Sequence, residues 1–142
     1  MRIALATLVM GLLLNALGWA GNVFLLGGLW DHAAQVAPPP LSPPFPGLAR
    51  DLLTFVSDFV FALVWSCVFA LARPAWRGST LTLALATAAL VWLGGVPMTY
   101  LGIVNSGYLP ADVAVATSVL ALVTFLLVSP LMPRLLPAAP AS

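Results

Sequence analysis

Four long apolar segments alternate with short polar or proline-rich stretches along the chain. Each segment is long enough to cross a bilayer as a helix, which takes about 20 apolar residues. The apolar runs are continuous, whereas the strands of a transmembrane β-barrel alternate polar and apolar residues over about ten positions. The pattern therefore predicts an all-α integral membrane bundle of four transmembrane helices, at residues 3–30, 52–71, 81–104 and 111–128.

Proline marks the ends of several of these helices. It occupies six of the nine positions from Pro38 to Pro46. Each ring removes a backbone donor and clashes with the preceding turn, so the first helix has to end before this run. Pro74 ends the second helix in the same way. We therefore expect the whole chain to form one domain, with a Pro-rich loop over 31–49 and a short Pro/Ala tail over 130–142.

The composition excludes a water-soluble domain and suggests an orientation. Hydrophobic residues make up 62% of the 142 positions and charged residues 6%, against about 25% charged in soluble proteins. Cytoplasmic loops retain Lys and Arg, and Arg50 alone lies at the opposite end from the other four arginines. We therefore expect both termini to be cytoplasmic and the Pro-rich loop to be external. The four arginines at the cytoplasmic end are Arg2, Arg73, Arg77 and Arg134.

The residue usage also suggests a location. A bias toward Ala, Leu, Val, Arg and Pro is typical of a GC-rich bacterial genome, so we expect the inner (cytoplasmic) membrane and direct contact with its lipid bilayer. Arg2 and the apolar run after it also fit a cleavable signal peptide. Aromatic residues at the span boundaries, Trp30, Trp76 and Tyr108, favour a first helix that is retained.

Several cofactor classes are excluded by residue counts. One cysteine, Cys67, cannot form a disulfide or a dithiol relay. One histidine, His32, cannot hold a haem between two histidines and is only a weak candidate for ligating a single pigment or haem. The chain has no lysine for a Schiff base, no metal-ligand spacing, and no basic face for nucleic acid. We therefore expect no metal, no cofactor and no nucleic-acid partner.

Small and polar residues form a stripe along the first predicted helix. They recur at intervals of three or four positions, which places them on one face. Small residues allow a second helix to approach closely, and asparagines in lipid seek a partner on another helix. We therefore expect this face to contact protein. The stripe consists of Thr7, Gly11, Asn15, Gly18 and Asn22.

Asp58 is the strongest functional candidate, because an ionisable group inside a membrane is costly and commonly functional. It follows Arg50 by eight positions, which places it about 12 Å below the outer boundary at about 1.5 Å per residue. Asn22, Tyr100 and Ser118 each lie eight positions from a predicted boundary of their own helices. All four helices therefore offer a polar group in one layer.

The third predicted helix contains Gly94, Gly95 and Pro97 at the same depth. Proline and adjacent glycines predict a kink or a short unwound stretch. A broken helix is tolerated in a membrane only where protein or a cavity satisfies the freed backbone. We therefore predict an intramembrane polar cluster in the outer third of the bundle. Its members are Asp58, Asn22, Tyr100, Ser118, Asn15 and Pro97.

This cluster has two interpretations: a polar clasp that fixes which helices pair, or a site that binds or moves something. A nucleophile and base pair is absent, since Ser57 and Asp58 point about 100° apart on a helix. We expect a non-enzymatic accessory or structural subunit of a larger membrane complex, or a homo-oligomer. The alternatives are a small-solute or proton carrier centred on Asp58, and a binder of an apolar ligand such as a pigment or quinone through Trp19, Trp65 and Trp92.

Overall fold

The computed structural model describes residues 2–36 and 48–137, without the side chains of residues 36, 48–51, 53 and 54. These residues form helices and short turns, and no strand occurs among them. Most of the predicted Pro-rich loop over 31–49 lies outside the described residues. The helices are α1 (Arg2–Phe24), α2 (Gly27–Val36), α3 (Leu48–Ala72), α4 (Thr80–Asn105), α5 (Ala111–Val128) and α6 (Met132–Leu135).

Four helices are long and apolar enough to cross a membrane. The predicted class, an all-α bundle of four transmembrane helices, is therefore confirmed, and the protein is a multi-pass membrane protein. Which end faces the cytoplasm stays a prediction. The apolar spans are Arg2–Phe24, Phe55–Ala75, Thr80–Asn105 and Ala111–Leu135.

The first predicted helix, over 3–30, is divided into α1 and α2. The N–H groups of Leu25 and Leu26 both donate to the carbonyl oxygen of Gly21, at 2.9 and 3.2 Å. Leu26 therefore reaches back five residues instead of four, which widens the last turn and ends α1. Two glycines, the poorest helix formers after proline, follow at Gly27–Gly28. The prediction of one continuous helix was wrong here because hydropathy does not register a change in hydrogen bonding.

Helical structure also continues into the predicted tail over 130–142. Two short helical segments carry the chain from Ser129 to Leu135. Pro130 and Pro133 lie in the first turns of these segments, where a missing N–H leaves no intrahelical bond unmade. These prolines therefore begin new helical turns instead of forming an extended tail.

The four spans pack in a ring, in which α1 and α4 each contact both α3 and α5. The tightest packing lies in the half of the bundle that contains the start of α1 and the end of α3. There Trp65 is fully buried, and its Nε1 donates to Thr87 Oγ1 at 3.0 Å. The ring of Phe125 lies 5.3 Å from that of Trp65, between centroids. We call this half, centred on Trp65, Phe69, Met10 and Met132, the packed half.

Gly11 packs closely against a side chain of α3. A Cβ atom at this position would lie 2.5 Å from Cδ1 of Phe59. We expect Gly11→Ala to lower the free energy of unfolding by about 1 to 2 kcal/mol, because overpacking costs about 1–3 kcal/mol and the helix propensity of alanine returns up to about 1. Circular dichroism during denaturation from mild detergent measures this loss.

Gly18 provides the matched control on the same helix. A Cβ atom there would meet nothing within 4 Å. Gly18→Ala should therefore leave the stability unchanged or slightly raised. Equal losses from the two variants would contradict close packing at Gly11.

Candidate functional site

A cavity of about 1010 Å³ lies between α1, α3, α4 and α5. It occupies the half of the bundle opposite the packed half, alongside the end of α1 and the start of α3. Its volume is at the upper end of the usual range for ligand sites, about 300–1,000 Å³. Most of the wall is aliphatic or aromatic, with polar residues on every helix. The polar residues are Asn15, Asn22, Ser57, Asp58, Thr99, Tyr100, Thr117 and Thr124.

Four members of the predicted polar cluster line this cavity: Asp58, Asn22, Tyr100 and Asn15. They come from three helices and meet at one space, as the count of residues from each predicted boundary indicates. That these four residues serve a function remains a prediction. Their roles within the cavity differ, because some are already bonded to the protein and others face the space.

Asn15 ties α1 to α3. Its Nδ2 donates to the carbonyl oxygen of Gly11 on its own helix at 3.0 Å and to that of Phe55 on α3 at 3.1 Å. This amide therefore links α1 to α3 through a direct hydrogen bond. Its donors are used within the protein and are not directed to a ligand.

Asn22 joins the cavity wall to α2. Its Nδ2 donates to the carbonyl oxygen of Gly18 at 2.8 Å, and its Oδ1 accepts a hydrogen bond from Nε1 of Trp30 at 3.0 Å. Trp30 lies on α2, which also contacts α5. The short helix is therefore held against the end of the bundle nearest the cavity.

Asp58 on α3 and Tyr100 on α4 both line the cavity. Both are half-buried. No Arg, Lys or His is among the described residues of the wall. The carboxylate therefore has no counter-charge within the cavity, and a donor group on a ligand would find an acceptor there.

Thr117 was not singled out from the sequence, yet it contributes a buried hydroxyl to the wall. Its side chain is 6% exposed, and its Oγ1 has no hydrogen-bond partner among the described residues. Helical threonines usually donate to a carbonyl one turn back, as Thr87 does to Leu83 at 2.9 Å. A buried hydroxyl without a partner carries a cost, and the near-zero accessible surface of this Oγ1 keeps it out of direct reach from the cavity.

Ser118 is displaced from the predicted site by one helix position. It is not part of the described wall, because consecutive helix residues point about 100° apart. Its backbone carbonyl accepts a hydrogen bond from Nε1 of Trp92 at 2.9 Å. At this level of α5 the polar residue in the wall is therefore Thr117, one position before Ser118, and Thr124 lies further along the same helix.

Pro97 lies beside the wall, which includes its neighbour Val96. α4 continues as a helix through Pro97, so the predicted unwound stretch does not occur. Gly95 nevertheless has a packing role, since a Cβ atom there would clash with the ring of Phe61. The hydroxyl of Thr99 donates to the carbonyl oxygen of Gly95 at 2.9 Å.

The remaining candidates lie elsewhere in the fold. His32 is exposed on α2, and nowhere in residues 2–36 and 48–137 do three His, Cys, Asp or Glu residues come together as a metal site would need. Of the three tryptophans suggested as ligand-binding aromatics, Trp19 lines the cavity. Trp65 belongs to the packed half, and the indole N–H of Trp92 is bonded to α5.

No protein-family model, curated protein or solved structure matches this chain. The cavity and its side chains are therefore the basis for inferring function.

Proposed function

We propose that the protein is a non-enzymatic membrane protein that binds an apolar molecule with one hydrogen-bond-donating group in the cavity between its helices. The observation that carries this proposal is the carboxyl group of Asp58, which lines a large and mainly apolar cavity without a basic residue in the described wall. Composition supports a bacterial inner membrane as the location.

The size of the cavity favours binding over a purely structural clasp. Protein interiors are close-packed, with few voids larger than a water molecule. The packed half meets this standard, with Trp65, Phe69 and Met10 fully buried. A bundle that needed polar residues only to select helix pairs could pack its other half in the same way. The cavity is instead partly open to the surroundings, since exposed Leu12, Trp19 and Phe55 form part of its wall, and its volume of about 1010 Å³ can admit an occupant.

The wall favours a particular kind of occupant. Aromatic and aliphatic side chains, such as Phe61 and Ile103, suit an apolar body. Both amide N–H groups of Asn15 and one of Asn22 already bond to backbone carbonyls. Asp58 supplies a hydrogen-bond acceptor in the wall. A hydroxyl or amine on an otherwise apolar molecule fits this combination.

The other roles expected from the sequence stay predictions. An accessory subunit would need a partner surface, and the exposed apolar faces of the spans are equally suited to lipid. A carrier would use the same cavity and the same carboxyl group, with access from both sides of the membrane. Binding is the step common to the carrier and to the simpler role proposed here.

Asp58→Asn tests the proposal directly. The probe is 1-aminoanthracene, an apolar aromatic amine whose fluorescence rises in apolar surroundings, titrated into protein in phosphatidylcholine nanodiscs with empty nanodiscs subtracted. We expect its affinity to fall about tenfold or more, because a hydrogen bond to a charged group contributes about 1.5–3 kcal/mol.

Asp112→Asn is the matched control. Asp112 is exposed in the first turn of α5 and lies outside the cavity wall, so this variant should bind the dye like the wild type. Unchanged affinity in a folded Asp58→Asn protein, or equal losses in the two variants, would overturn the assignment.

A further inference from the structure

The end of the bundle away from the cavity has a different chemistry. The start of α1, the end of α3, the start of α4 and the chain after α5 all meet there. Each contributes an arginine, whereas Asp31 and Asp112 lie at the opposite end and Asp58 lines the cavity. This arginine end consists of Arg2, Arg73, Arg77 and Arg134.

Arg73 differs from the other three because part of its charged group is buried. Its Nη1 atom is inaccessible to solvent and has no hydrogen-bond partner among the described residues. The other three arginines are exposed, so water can solvate them. A buried charged donor without an acceptor is strongly unfavourable. Arg73 as a whole is half-buried, so an anion or another acceptor from beyond the described residues can approach the remaining part of its guanidinium.

The surroundings of Arg73 hold its guanidinium in place. The guanidinium carbon lies 5.7 Å from the centroid of the Phe69 ring, and Phe69 is fully buried. Arg73 also begins a short 3₁₀ turn, Arg73–Ala75, directly after α3. A cation fixed over an aromatic ring in this way loses little further freedom when it binds an anion.

The position of Arg73 identifies the source of that anion. The apolar span of α3 ends at Ala75, so the guanidinium lies where the hydrocarbon core gives way to lipid headgroups. Trp76 is exposed beside it, and its Nε1 donates to the carbonyl oxygen of Ser79 at 3.0 Å. Tryptophan is enriched at this level of a membrane. A guanidinium matches a phosphate group in geometry and charge.

We propose that Arg73 anchors a binding site for the phosphate group of an anionic phospholipid at the arginine end. The net positive charge of this end favours an anionic headgroup over a zwitterionic one, which brings its own cation. The site is separate from the cavity, so it does not depend on the function proposed for Asp58.

Lipid binding by the full-length protein in a neutral detergent tests the site, with native mass spectrometry as the readout. The probes are phosphatidylglycerol, phosphatidylcholine with the same acyl chains, and inorganic phosphate. We expect the wild type to bind phosphatidylglycerol about tenfold more tightly than phosphatidylcholine, because the choline cation offsets the attraction of the arginine end for the phosphate. Equal affinity for the two lipids would overturn the proposal, and so would phosphate binding as tight as that of phosphatidylglycerol.

Variants separate a specific site from a general effect of charge. Arg73→Gln should lower the affinity for phosphatidylglycerol about tenfold, and Arg73→Lys should recover part of it. Arg77→Gln removes the same charge from an exposed position at the same end and should change the affinity less than twofold. Equal losses at positions 73 and 77 would overturn the site. The lipid preference of the wild type remains a separate test if Arg73→Gln does not fold.

Discussion

Replacing Trp65 with alanine should lower the free energy of unfolding by about 3 kcal/mol, the low end of the range for truncating a buried aromatic side chain. Trp65 is fully buried and packs against Phe125, and its N–H bonds to Thr87 across to α4. Lipid is as apolar as the core, so the loss arises from missing contacts and an empty space more than from transfer to water. Denaturation from mild detergent, followed by circular dichroism, measures the change.

Two further variants show how much of this loss of stability comes from packing and how much from the hydrogen bond. Trp65→Phe keeps most of the packing and loses the hydrogen bond to Thr87, so we expect a smaller loss, of which about 0.6 kcal/mol comes from that bond. Leu63→Ala truncates an apolar side chain on the same helix that is 45% exposed and should have little effect. If Leu63→Ala is as damaging as Trp65→Ala, the packed half does not dominate the stability.

Placing a bulky ring in the cavity wall with Ala121→Phe should reduce binding of 1-aminoanthracene about tenfold, an effect similar to the loss of the Asp58 charge. Ala121 lies on α5 in the cavity wall, and a phenyl ring there would take up part of the space that the dye can use, while most of the cavity of about 1010 Å³ stays open. Because a ligand site depends on an enclosing shape, the ring removes favourable apolar contacts of the bound dye. The same nanodisc titration provides the measurement.

Val119→Phe is the matched control for this substitution. It adds a phenyl ring to the same helix at a position that is 52% exposed and outside the cavity wall. Its dye affinity should match that of the wild type. Retained binding in Ala121→Phe would place the dye elsewhere and remove the support for the cavity as the site.

The spans could be predicted because hydropathy and proline position report directly on membrane insertion and helix ends. The division between α1 and α2 could not, because it depends on how the N–H of Leu26 bonds to the carbonyl of Gly21. Pro130 and Pro133 lie in the stretch predicted to be a short Pro/Ala tail, although proline in a first turn is compatible with a helix. Composition alone does not separate these two uses of proline.

The polar layer was easier to predict than the cavity itself. Counting residues from a boundary estimates depth, and this count brought Asp58 and Asn22 to the same level. The direction in which a side chain points around the helix axis is harder to predict than its depth, since an error of one residue turns the side chain by about 100°. Hence Ser118 was chosen and Thr117 was missed. An empty space also depends on how side chains from several helices fit together, as Gly95 and Phe61 do.

The contrast between the two halves has a mechanical consequence. Close-packed regions resist compression and move as units, so the region around Trp65 can act as a fixed base. The cavity lies between the far ends of the spans, and exposed Leu12, Trp19 and Phe55 form part of its wall. A molecule dissolved in the bilayer could then enter the cavity laterally, between neighbouring helices, without passing through water.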